Sequence, residues 1–89
     1  MNNLTKFNTT DQTILKTIVV LLRNTTWRCG KLERSIVKHL NNRRLIFGKS
    51  EVSVKEILHH LDLIGKKNNE CINAIKRLEK RNIIRILPL

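Results

Sequence analysis

Asn69, Asn73, Lys76, Arg77 and Lys80 follow one another mostly at intervals of three and four residues. On a helix turning about 100° per residue they share one face, and Cys71, Ile75 and Leu78 fall on the other. These side chains suit the edges of nucleobases. An Asn amide can pair bidentately with adenine, and Arg or Lys with guanine. Asn69 and Asn73, near the helix start, are best placed for bases, whereas Lys66 and Lys67 just before it suit phosphates. Asn68 is a good N-cap, and the positive end of a helix itself attracts phosphate. A merely solvated helix face usually mixes signs. Residues 66–85 hold seven basic side chains and two acidic ones, which favours a polyanion against this face.

The whole chain has the same bias. Its 89 residues include 18 Lys and Arg against 7 Asp and Glu, a net charge of +11. Such an excess points to nucleic acid or to an anionic membrane surface. A membrane span is not expected, because the longest apolar run covers only residues 18–22 and a spanning helix needs about 20. The first ten residues are polar and lack an apolar leader segment, so a cytoplasmic, intracellular place is expected. The length suits one domain and leaves little room for a deep catalytic pocket. No enzyme is expected, since the carboxylates are explained as caps or helix-face charges and no nucleophile stands beside a base. No cofactor or metal is expected either. His59 and His60 are adjacent and diverge on a helix, and His39 is isolated. Cys29 and Cys71 read as buried thiols. Phe7 and Phe47 are too few for single-strand stacking platforms, and Tyr is absent.

These side chains need elements to position them. Residues 1–9 read as a polar arm, and residues 10–89 are expected to form the domain. Thr10 and Asp11 suit a helix start, and residues 11–23 are expected to be helical. Ile14, Leu15, Ile18, Val19, Val20, Leu21 and Leu22 would give that helix an unusually wide apolar face. A homodimer through this helix, or complete burial at the centre of the core, would account for it equally well. Trp27 is expected to anchor the turn over residues 24–30. A second helix follows over residues 31–40, with Leu32, Ile36, Val37 and Leu40 inward and Asn41 and Asn42 at its end. Leu45, Ile46 and Phe47, closed by Gly48, read as a short strand. Ser53 and Glu56 form a capping box for a third helix to about residue 61, with Ile57, Leu58 and Leu61 inward. A turn leads to the fourth helix, residues 68–81, and residues 82–87 alternate like a strand.

Residues 52–85 resemble the winged helix-turn-helix family of DNA-binding domains. The capped helix after Ser53, the Leu63–Ile64–Gly65 turn, the inward Cys71, Ile75 and Leu78, and the ending Arg77-Leu78-Glu79-Lys80-Arg81-Asn82-Ile83-Ile84 carry the likeness. Asn82 stands where the family has Gly, a mild change because Asn also tolerates positive φ. The resemblance implies a mainly α fold of about four helices with a minimal two-stranded sheet, here residues 44–47 against 82–87. It implies double-stranded DNA as partner, a recognition helix in the major groove and a role in transcription regulation. Lys66, Lys67, Asn68, Asn69, Asn73, Lys76, Arg77 and Lys80 would then make the contacts. The family's wing is a hairpin, and the residues after Asn82 leave no room for its second strand, so a wing in the minor groove is not expected. The alternative is a protein-interaction subunit of a DNA- or RNA-processing assembly. A third reading, an RNA-binding protein, would favour single strands over duplex.

Overall fold

A computed structural model of the chain describes residues 16–62, 65 and 67–88. In chain order these form β1 (Thr17–Leu21), α1 (Lys31–Phe47), β2 (Val52–Ser53), α2 (Val54–Asp62), α3 (Asn68–Lys80) and β3 (Ile84–Pro88). The described residues thus hold three helices and one antiparallel three-stranded sheet, ordered β2-β1-β3.

The expected helix over residues 11–23 is corrected across Thr17–Leu21, which is the central strand of the sheet. Thr17, Ile18, Val19 and Val20 are consecutive β-branched residues, stiff at χ1 and well suited to a pleated surface. An unbroken apolar run does not reveal its period, and the sheet partners decide between helix and strand. Val19 and Leu21 point into the core, while Ile18 and Val20 are half-buried on the other face. One central strand therefore uses Ile18, Val19, Val20 and Leu21, four of the apolar residues that had suggested a helical dimer face, and no helix stands across Thr17–Leu21 to carry a homodimer. Thr10, Asp11, Ile14 and Leu15 lie outside the described residues.

β1 pairs with β3 over five residues, from Thr17 opposite Pro88 to Leu21 opposite Ile84. It pairs with β2 through Ile18–Ser53 and Val19–Val52. The expected two-stranded sheet using residues 44–47 is therefore corrected. Leu45, Ile46 and Phe47 are the last turn of α1, which runs on through Asn41 and Asn42. Asn41 does not stop the helix because its Oδ1 accepts a 2.9 Å hydrogen bond from Arg44 Nη2, a helix-supporting pair three residues apart. Gly48 ends it instead, at φ 79°, where its amide donates to the Arg44 carbonyl.

α2, α3 and β3 form close to their expected bounds. Ser53 Oγ accepts the Glu56 amide at 3.1 Å and caps α2. The Glu56 carboxylate faces His39 and Arg43. Lys67 rather than Asn68 occupies the cap position of α3. At the other end, Asn82 stands at φ 58°. Its amide donates to the Glu79 carbonyl and the Ile83 amide to that of Leu78, at 2.9 and 3.0 Å, the Schellman pattern. Buried Leu78 and Ile83 add the apolar contact that accompanies it.

The core lies between the sheet and the helices. Ile36, Val37 and Leu40 of α1, Ile57, Leu58 and Leu61 of α2, and Cys71, Ile75 and Leu78 of α3 are all buried there, as their spacing requires. Leu32 packs against its edge. Among the described residues no helix is long and apolar enough to cross a membrane.

Candidate nucleic-acid interface

α3 owes its orientation to its inner face. Cys71, Ala74, Ile75 and Leu78 are fully buried, and Ile72 nearly so. The helix cannot roll without exposing them. Its outer face therefore presents Asn69, Asn73, Lys76, Arg77 and Lys80 to solvent, with Asn68 exposed at its first position on the side towards α2 and Lys67 exposed just before it. Seven of the eight expected contact residues are thus exposed on or beside one helix, and Lys66 lies outside the described residues. Glu70 and Glu79, also exposed, flank this face. Lys67 supplies no side-chain cap, so the amides of the first turn remain directed outward from the helix start.

The cations of α3 differ in freedom. Arg77 Nε lies 3.7 Å from Glu33 Oε2. The buried Glu33 also accepts the Gly30 amide through Oε1 at 2.9 Å, which fixes the start of α1. Lys67, Lys76 and Lys80 make no ion pair among the described residues.

Arg23, Arg43 and Arg44 are engaged within the fold. Arg23 Nη2 donates to the Arg81 carbonyl at 2.8 Å and its Nε to that of Asn82 at 3.3 Å, beyond the end of α3. Arg43 Nη1 lies 3.4 Å from Glu56, and Arg44 bonds Asn41. Lys31, Arg34 and Lys38 line the outer side of α1, away from Ile36 and Leu40. Arg28 lies beside the α3 cations Arg77 and Lys80. With Trp27, Glu33, Arg77, Lys80 and Arg81 it borders a cleft of about 690 Å³.

Trp27 corrects an expectation. It does not anchor its turn on the core but is 68% exposed. Cys29 is the buried member of the turn, and Arg81 holds the backbone. Arg81 Nη1 donates to the Arg28 carbonyl at 3.2 Å and to Cys29 Sγ at 3.3 Å, and Nη2 donates to the Trp27 carbonyl. A lone Trp suggests burial by its size. Here a guanidinium more than fifty positions away does the anchoring and frees the indole.

His39 is not isolated in space. Its ring stacks on that of His60 at 4.2 Å with a 22° tilt. Its Nε2 lies 3.5 Å from Glu56 Oε2, and this buried nitrogen has no hydrogen-bond partner among the described residues. Burial pushes the His39 pKa below its ordinary value. The charges of His60 and Arg43 push the same way, and Glu56 opposes them. Among the described residues no group of three or more His, Cys, Asp or Glu gathers as a metal site.

No protein-family model matches the chain, and comparison with curated proteins and with solved structures finds no match.

Proposed function

We propose that this is a binding protein for double-stranded DNA, with α3 laid into the major groove, acting in transcription regulation or another DNA-templated process. The observation that carries this is the outer face of α3. Asn69, Asn73 and the cations Lys76, Arg77 and Lys80 stand exposed on a helix whose opposite face is buried. The helix is held firmly enough to read bases, and its cations supply the phosphate attraction on which duplex affinity depends.

The order α1-β2-α2-α3-β3 supports the winged helix-turn-helix resemblance. So does the strand beside β3. The hairpin of that family needs a second strand there, and β1 occupies the place, arriving from the N-terminal side.

A second reading, a protein-interaction subunit, is favoured by one observation. Leu45, Ile46 and Phe47 are 73%, 71% and 64% exposed at the end of α1, a contiguous apolar surface of the kind that partners cover. Duplex binding measured across a salt series separates the two. The DNA reading requires affinity at low salt that falls steeply as salt rises. Absence of binding to any duplex at low salt would sink it and leave the apolar end of α1 as the working surface. Preference for single-stranded RNA over duplex in competition would redirect the reading to RNA.

A further inference from the structure

The turn that carries Trp27 is built to hold that side chain outward. Arg28 sits at φ 57°, a left-handed conformation that non-glycine residues seldom adopt and that persists where surrounding bonds impose it. Those bonds are present. Arg81 binds the turn at Trp27, Arg28 and Cys29, the Cys29 amide donates to the Thr26 carbonyl, and the Trp27 amide donates to Thr25 Oγ1. The product is an indole more than two-thirds exposed, with the Arg28 guanidinium 5.4 Å from its ring centre. Arg77 and Lys80 line the same cleft, which is about 690 Å³ and open to solvent. An exposed flat aromatic ring beside several cations is the combination that holds a base by stacking and its phosphate by charge.

We infer that this cleft binds an unstacked nucleotide, with its base against the Trp27 indole and its phosphate among Arg28, Arg77 and Lys80. Glu33 serves the start of α1 from the floor of the cleft, and Arg81 serves the turn. Neither is needed for the phosphate. The nucleotide is either part of a strand, such as an unpaired end beside a duplex, or a free mononucleotide. The site does not rest on α3 entering the major groove. Trp27 and Arg28 lie outside that helix, while Arg77 and Lys80 are shared with the duplex-facing surface.

Trp27 is the sole tryptophan and the chain has no tyrosine, so intrinsic emission reports this one ring. The protein is titrated separately with a duplex bearing a short unpaired overhang, the same duplex with blunt ends, a nucleoside 5′-monophosphate and inorganic phosphate. Saturable quenching by the overhang duplex at lower concentration than by the blunt one assigns a strand. Saturable quenching by the mononucleotide assigns a free ligand. In the first case, anisotropy of a labelled overhang should show Trp27→Ala weakening binding about 5- to 150-fold, the range that one base-aromatic stack carries, and Trp27→Phe retaining most of it. In the second, Lys80→Ala should raise the mononucleotide concentration needed for half-quenching. Quenching by inorganic phosphate as strong as by the nucleotide, equal response to blunt and overhang duplexes without response to the mononucleotide, or no quenching at all would each overturn the site. If salt-dependent duplex binding persists in those cases, the α3 reading stands without it.

Discussion

Replacing Lys67 and Lys76 together by Ala tests the α3 surface quantitatively. Both side chains are exposed, neither has an ion-pair partner among the described residues, and neither borders the Trp27 cleft. Their removal should therefore leave the fold intact and change long-range electrostatics alone. Each phosphate contact contributes about 0.9 to the slope of log affinity against log salt, so the double variant should be shallower by about 1.8. Between 50 and 200 mM salt, a fourfold change, that corresponds to roughly a 12-fold smaller loss of affinity than the parent protein suffers. The assay is fluorescence anisotropy of a labelled duplex at four or more salt concentrations, with Lys38→Ala as the control. Lys38 is equally exposed but lies on the outer side of α1, away from the buried residues of that helix. An unchanged slope in the double variant, or the same reduction from Lys38→Ala, would refute α3 as the phosphate-facing surface and indicate diffuse coating by the whole basic chain.

Three further outcomes follow from particular residues. Asn73→Ala should lose about 1–3 kcal/mol on a preferred duplex and little on random duplex, with the salt slope preserved; equal losses on both would argue against base contact. Asn82 holds φ 58°, so Asn82→Ala should destabilise the fold by about 1 kcal/mol in urea unfolding, whereas Asn82→Gly should be neutral or slightly stabilising. The opposite order would mean that the Asn side chain, and not its backbone tolerance, matters there. The third concerns pH. With the folded-state pKa of His39 below its unfolded value near 6.5, the unfolded chain binds more protons than the folded one as pH falls through that value. The stability from a neutral His39 beside His60, Arg43 and Glu56 is thus present above about pH 6.5 and is lost on acidification below it. Thermal melts from pH 7.5 to 5 should show a falling Tm, and His39→Gln should flatten part of that fall; a Tm that rises on acidification, or the same fall in His39→Gln, would exclude this account.

The sequence was most legible where folding is local. Ser53 and Glu56 lie within one turn, Cys71, Ile75 and Leu78 repeat at helical spacing, and Asn82 marks a positive φ without reference to anything distant. The segment from α2 to β3 formed close to its expected bounds for that reason. β1 was illegible because Thr17–Leu21 fits a buried strand and a buried helix equally well, and its deciding partners lie more than thirty residues away in β2 and still farther in β3. The end of α1 was misplaced because Asn41 and Asn42 look like a stop, whereas Gly48 sets the helix end. Trp27 was misjudged for the same physical reason as β1. What decides its exposure is Arg81, far along the chain. The outer face of α3 could be read from periodicity alone, but the cleft beside it depends on two segments brought together only by the fold.

The central place of β1 has a consequence for how the chain assembles during synthesis. β1 leaves the ribosome well before its five-residue partner β3, the last described element to be made. Until then β1 has only the two-residue β2 as a strand neighbour, opposite Ile18 and Val19, and the sheet side of the core stays open. Closing a loop of this length costs entropy before the pairing returns any stabilisation. The helices, whose contacts are local, can therefore form first, and the sheet acts as the final clasp. A chain truncated before Ile84 should remain protease-sensitive at Thr17–Leu21, and a chain that includes Ile84–Pro88 should be protected there.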